Sequence, residues 1–124
     1  MPFRLKYCNL AAENTVSMNK SFLNAIKKYS RQLMPKGTRV VLFGSQARGD
    51  ANAESDWDLL ILMAKPEIEY ADYDVYAYPL VELGWKNNEQ VSPIIYTFEE
   101  WQKRRPTSFY HNVESEGIEL CHLL

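Results

Sequence analysis

The chain has 124 residues, of which 46% are hydrophobic and 13% aromatic, with 14 Lys and Arg against 16 Asp and Glu. That is enough apolar material for a packed core and too much for a disordered chain, so one domain over residues 1–124 is expected. The net charge of −2 argues against an electrostatic grip on long nucleic acid, and no segment approaches the roughly 20 apolar residues of a membrane span.

The only cysteines are Cys8 and Cys121. Two are too few for a disulfide framework and form no CxxC, so free thiols in a reducing compartment are expected. Residues 1–10 hold no apolar run of signal-peptide length, and a cytoplasmic location is expected.

Residues 1–14 carry weak signals and read as a lead-in. Residues 17–34 predict a helix, because Phe22, Ile26, Tyr29 and Leu33 make one apolar stripe while Lys20, Lys27, Lys28 and Arg31 lie off it. Pro35-Lys36-Gly37 ends that helix. The β-branched run Arg39 to Phe43 predicts a buried strand that stops at Gly44. Trp57 to Met63 predicts a second, apolar on both faces. Residues 67–86 have helical character, with the faces Ile68–Ala71–Val75 and Tyr76–Leu80–Leu83. The tyrosines at 70, 73, 76 and 78 read as packing residues. Pro79 kinks or restarts this helix, because an interior proline costs about 3 kcal/mol.

Gln90 to Tyr96 predicts a third strand, and Pro93, which cannot donate a ladder bond, places it at an edge or at a bulge. Thr97 and Glu100 form a capping box that starts a short helix reaching about Arg104. After Pro106 a last helical segment runs to about Gly117. This order predicts an α/β or α+β domain, a small mixed sheet packed with helices.

The chemistry concentrates in Phe43-Gly44-Ser45-Gln46-Ala47-Arg48 and Ser55-Asp56-Trp57-Asp58. Gly44 permits a tight turn and close approach of a ligand. Ser45 offers a hydroxyl and an N–H where a short helix begins, a place that favours phosphate, and Arg48 adds a charge-assisted contact. Asp56 and Asp58, two apart at a strand start, point to one face. Two converging carboxylates repel unless a cation sits between them, and magnesium takes such ligands while sharing its other positions with phosphates. Gly44 and Gly49 have P-loop spacing, but Asp50 stands in the lysine position, which excludes a P-loop. Lys103-Arg104-Arg105 reads as a basic helix end, and His111 as a surface or structural residue.

Gly44-Ser45 followed by Asp56-Trp57-Asp58 resembles the pattern of the DNA polymerase beta-like nucleotidyltransferase superfamily, and its small single-domain members, the minimal nucleotidyltransferases, in particular. The match covers about 20 residues, Val40 to Leu62. The resemblance implies metal-dependent transfer of a nucleoside monophosphate from a nucleoside triphosphate to an acceptor hydroxyl, with loss of pyrophosphate. Gly44, Ser45 and Arg48 would hold the nucleotide, and Asp56 and Asp58 would ligate Mg2+ or Mn2+ and serve as the catalytic pair.

The family pattern also has a third acidic residue on a later strand. Residues Gln90 to Tyr96 hold no carboxylate, and Ser92 stands at the candidate position. That departure opens an alternative, a weakened nucleotide-binding module or an antitoxin-like partner of a HEPN-type helical protein. The tail from Val91 through Phe109-Tyr110-His111-Asn112-Val113 to Glu116-Gly117-Ile118 resembles that of bacterial nucleotidyltransferase-like proteins. The acceptor stays open between a protein side chain, a small molecule and an RNA end.

Overall fold

A computed structural model describes residues 18–123; the lead-in over residues 1–14 and Cys8 lie outside them. Helix α1, Lys20–Leu33, begins at Asn19, whose side chain accepts the Phe22 N–H at 3.0 Å. It buries Phe22, Ile26 and Ser30, while Tyr29 and Leu33 of the predicted stripe are partly buried against the same core. Strand β1, Arg39–Phe43, leads through the single turn of α2, Ser45–Arg48, to strand β2, Trp57–Met63.

The crossover that follows is less regular than predicted. Helix α3, Tyr70–Asp72, passes into a π-helical stretch, Tyr73–Ala77, and then into α4, Tyr78–Lys86. The wide turn lies just before Pro79, which has no N–H to offer, and the ladder restarts there. Leu80 is buried, but Ala71 and Val75 face solvent, so the predicted face Ile68–Ala71–Val75 is not a packing face. Tyr70, Tyr73 and Tyr78 are exposed as well, which corrects their reading as packing residues.

Strand β3, Val91–Thr97, gives way at the predicted capping box to α5, Phe98–Lys103; Thr97 Oγ1 accepts the Glu100 N–H and Glu100 accepts the Thr97 N–H. Helix α6, Ser108–Glu116, is followed by a strand absent from the sequence reading, β4, Ile118–His122.

The sheet order is β3-β2-β1-β4, with β1 antiparallel to both neighbours and β2 parallel to β3. Pro93 therefore sits on an edge strand, as its missing N–H requires. Alternation along the strands divides the core in two. Val40, Leu42, Trp57, Leu59 and Ile61 pack with Phe22 and Ile26 of α1 and with Leu80 of α4. Val41, Leu60 and Leu62 pack on the other face with Trp101 of α5 and Val113 of α6. Asp58 belongs to this second face.

Candidate active site

The site forms where β1 ends and β2 begins. Phe43, the last residue of β1, lies opposite Asp58, and Asp58 lies opposite Ser92 of β3. Gly44 has φ +79°, and a Cβ there would overlap the Asp58 carboxylate. Both the backbone conformation and the space thus call for glycine at the turn. The carbonyl of Ser45 accepts the N–H groups of Gly49 and Asp50, at 3.0 and 3.1 Å, which closes α2 after one turn. So short a helix contributes little dipole, and what this corner offers a ligand is the open backbone turn.

Trp57 separates the two aspartates and fixes them. Its indole is fully buried on the opposite face, edge-on to Phe22 at 5.1 Å, and its Nε1 donates to Glu89 at 2.9 Å. Glu89 also accepts from Asn19, the α1 cap, at 3.0 Å. With Trp57 anchored, alternation turns Asp58 to the α5–α6 face of the sheet. Ser92 Oγ donates to Asp56 Oδ2 at 2.8 Å, which gathers Asp56, Asp58 and Ser92 around one corner.

Burial pushes the Asp58 carboxyl above its ordinary range, and the Asp56 charge pushes it further, with Arg48 opposing. Arg48 itself is exposed and engaged, 3.2 Å from Asp50 and 3.7 Å from Glu116. The corner is a place of crowded negative charge. Its donors are all oxygens, and among the described residues no three or more His, Cys, Asp or Glu side chains converge. Two carboxylates beside a hydroxyl suit a hard divalent cation that keeps positions for water and phosphate, so the residues fit magnesium or manganese.

The other acidic neighbours stand apart. Glu99 and Glu100 begin α5, past the end of β3, and Thr97 lies about 16 Å along the strand from Ser92 at 3.3 Å per residue. Glu89 is committed to Trp57 and Asn19. Lys103, Arg104 and Arg105 are exposed at the end of α5, with Arg104 stacked 4.3 Å over the Tyr96 ring. His111 is exposed and meets Tyr110 edge-on at 5.7 Å. Cys121 is a buried free thiol.

Comparison with known proteins places the chain in a family. The nucleotidyltransferase domain matches residues 23–119, most of the described chain. Two curated relatives from Methanocaldococcus jannaschii are similar to it, the putative protein adenylyltransferases MJ0141 and MJ0604. The first is 39% identical over 95 residues, covering 76% of this chain and 89% of the relative; the second is 35% identical over 98 residues, covering 79% and 89%.

Two solved structures share the fold at a TM-score of 0.57, each alignment covering 81% of this chain and 73% of the other. One is a toxin–antitoxin with AMP-PNP, 23% identical, and the other a mutant of the toxin–antitoxin MntA–HpeT, 21% identical. The chain belongs to the nucleotidyltransferase-domain family, and its class of activity is nucleotidyl transfer.

Proposed function

We propose that the chain transfers an adenylyl group from ATP to a hydroxyl on a protein acceptor, and that Asp56 and Asp58 are its catalytic and metal-holding pair. The observation that carries this reading is the carboxylate pair beside the Gly44 turn, with Asp58 facing the last residue of β1. The names of the two curated relatives support adenylyl as the group and protein as the acceptor.

In this reading the Gly44–Ser45 backbone receives the triphosphate, and Arg48 exchanges Asp50 for phosphate oxygens while its Nη1 stays paired with Glu116. The acceptor oxygen attacks the α-phosphorus in line; an O–P bond forms and the bond to the β-phosphate bridging oxygen breaks. The bonding pair leaves with pyrophosphate, and the acceptor proton passes to solvent. Asp56 and Asp58 would hold the divalent ion, which when bound supplies neutralisation of the triphosphate and of the leaving group. Ser92 keeps Asp56 in place through its hydroxyl.

The test uses ATP labelled at the α-phosphate, with the chain co-purified from its own cells. Label should pass to a protein band, with pyrophosphate released, and Asp56→Ala or Asp58→Ala should abolish both. Equal labelling by the variants contradicts the assignment.

A second reading concerns partners, and the crossover helix favours it. Among the described residues the exposed large hydrophobic side chains are Tyr70, Tyr73, Val75, Tyr78 and Trp85, all on this crossover. Val75, Tyr78, Glu82 and Trp85 fall on one side, and Tyr78 meets Trp85 edge-on at 6.0 Å. Exposed Glu67, Glu69, Asp74 and Glu82 surround them, with Lys86 the nearby cation. Such a face suits a basic, apolar protein surface rather than a second copy of itself. A HEPN-type helical protein, as in an antitoxin pairing, is the partner we propose. Tyr78→Glu with Trp85→Glu should abolish co-purification with that protein while metal-dependent ATP binding persists; retained co-purification contradicts the docking face.

A further inference from the structure

We infer that the cleft between the end of β1 and helix α6 is the nucleobase pocket of this site, and that Asn112 selects adenine over guanine. The inference rests on the nucleotide-binding reading given above and adds to it the residues that read the base.

The cleft has a volume of about 190 Å³ and is lined by Phe43, Gly44, Arg48, Phe109, Asn112 and Glu116. It touches the phosphate corner directly. Gly44 and Arg48 belong to both, and Phe43 faces Asp58 across one strand spacing, about 4.8 Å. A nucleotide whose phosphates lie at the Gly44 turn therefore has this cleft within reach of its base.

The lining has the chemistry of a base slot. Phe43 and Phe109 meet edge-on at 5.5 Å and form an aromatic wall. Aromatic side chains give flat bases a stacking surface. Asn112 lies one turn beyond Phe109 on α6, so both border the same opening. Its side-chain amide offers one donor and one acceptor. Adenine presents a donor at N6 beside an acceptor at N7, and an amide satisfies both together. Guanine presents two acceptors on the same edge, O6 and N7, and the amide oxygen would face one of them.

Glu116 closes the cleft one turn further along, and Arg48 engages its carboxylate at 3.7 Å. A free carboxylate would favour guanine by accepting from its N1–H and N2–H groups; the Arg48 pairing opposes this. Phe109 and Val113 pack into the core of this face, whereas Asn112 between them is exposed and borders the cleft.

The test is calorimetric titration of the full chain, in magnesium, with ATP, GTP and inorganic tripolyphosphate as a base-free probe. Wild type should bind ATP about tenfold more tightly than GTP, the lower range for one bidentate base contact. Asn112→Ala should bring the ratio close to one, and Asn112→Asp, which still accepts from N6 but sets a carboxylate against N7 and against both guanine acceptors, should weaken ATP binding without improving GTP binding. Neither variant should change tripolyphosphate binding.

An unchanged ATP-to-GTP ratio in both variants overturns the inference, as does a parallel loss of ATP and tripolyphosphate binding. Wild type that binds tripolyphosphate and both nucleotides equally overturns the base pocket but leaves the phosphate corner standing. Wild type that binds none of the three overturns the proposed function and the pocket together.

Discussion

The hydroxyl of Ser92 donates a 2.8 Å hydrogen bond to Oδ2 of Asp56, from the β3 position that lies opposite Asp58. An uncharged donor thus stands on β3 beside both aspartates, bonded to one and in register with the other. In the folded chain it lowers the repulsion between the aspartates and fixes one of them.

Removing that donor should loosen Asp56. Groups that orient a metal-holding carboxylate typically contribute about 10–100-fold in metal affinity. Ser92→Ala is expected to weaken magnesium-dependent ATP binding by about tenfold. Ser92→Asp should do the reverse under two conditions: a lower melting temperature than wild type in chelator, and a higher one in manganese. Calorimetry and thermal melts check both, and a Ser92→Asp melt insensitive to manganese contradicts the placement.

Gly44 should not tolerate a side chain. Its φ of +79° disfavours one, and the added Cβ would overlap the Asp58 carboxylate. Gly44→Ala is expected to cost about 1–3 kcal/mol in stability and to abolish ATP binding. Urea denaturation and a binding titration measure the two effects. Gly49→Ala also carries a positive φ but meets nothing within 4 Å, so it should destabilise without abolishing binding.

Asp58 should trade stability against function. Burial, then the Asp56 charge, raise its pKa above 3.8. Between pH 3.8 and that raised value the folded protein therefore holds more of a proton there than the unfolded chain does. This contribution to stability is complete below pH 3.8 and disappears as the pH rises through the folded value. Asp58→Asn is expected to stabilise the metal-free protein at neutral pH by about 0.5–2 kcal/mol, with no gain in acid, and to eliminate metal-dependent ATP binding. Metal affinity of wild type should fall as acid restores the proton, because the ion needs the carboxylate. Denaturation across pH and a metal titration test these together.

Glu114 should hold α6, one wall of the cleft, against the sheet. It accepts from the Trp101 indole at 2.6 Å and pairs with Arg39 of β1 at 3.2 Å. Burial alone would raise its pKa, but Trp101 and Arg39 outweigh this and hold the carboxyl below its ordinary range. The stability it confers is present above pH 4.5 and is lost as the pH falls through the lowered folded value. Glu114→Gln should cost about 0.5–1 kcal/mol at pH 7, because the pair is partly solvated and Gln can still accept from Trp101, and the difference from wild type should shrink well below pH 4.5. A difference independent of pH contradicts the ionic role.

The elements legible from sequence are those whose signal is local. The stripe of α1, the β-branched run of β1, the apolar run of β2 and the reciprocal cap at Thr97 each lie within a few residues. Pro93, with no N–H for a ladder, pointed to an edge or a bulge, and the sheet order makes it an edge. The Gly44–Ser45 turn and the Asp56–Asp58 pair were legible for the same reason, as they span one turn and one strand start.

Strand β4 was not, because its alternation is broken. A register shift against β1 falls between Val40 and Val41, and consecutive residues Leu120 and Cys121 are both buried. The crossover helix misled in the opposite sense. Its π-helical stretch resets the helical phase, so residues spaced for packing, such as Val75, emerge in solvent. The Phe43–Phe109–Asn112 wall and the Trp57–Glu89 anchor join residues distant in sequence, and only tertiary packing brings them together.

The most direct measurement is calorimetric titration of ATP into wild type and Asp58→Ala, first with magnesium and then with chelator. The account predicts binding to wild type that requires magnesium and is absent in Asp58→Ala at an unchanged fold by circular dichroism. ATP binding that is equal in the variant, or indifferent to chelator, would contradict it.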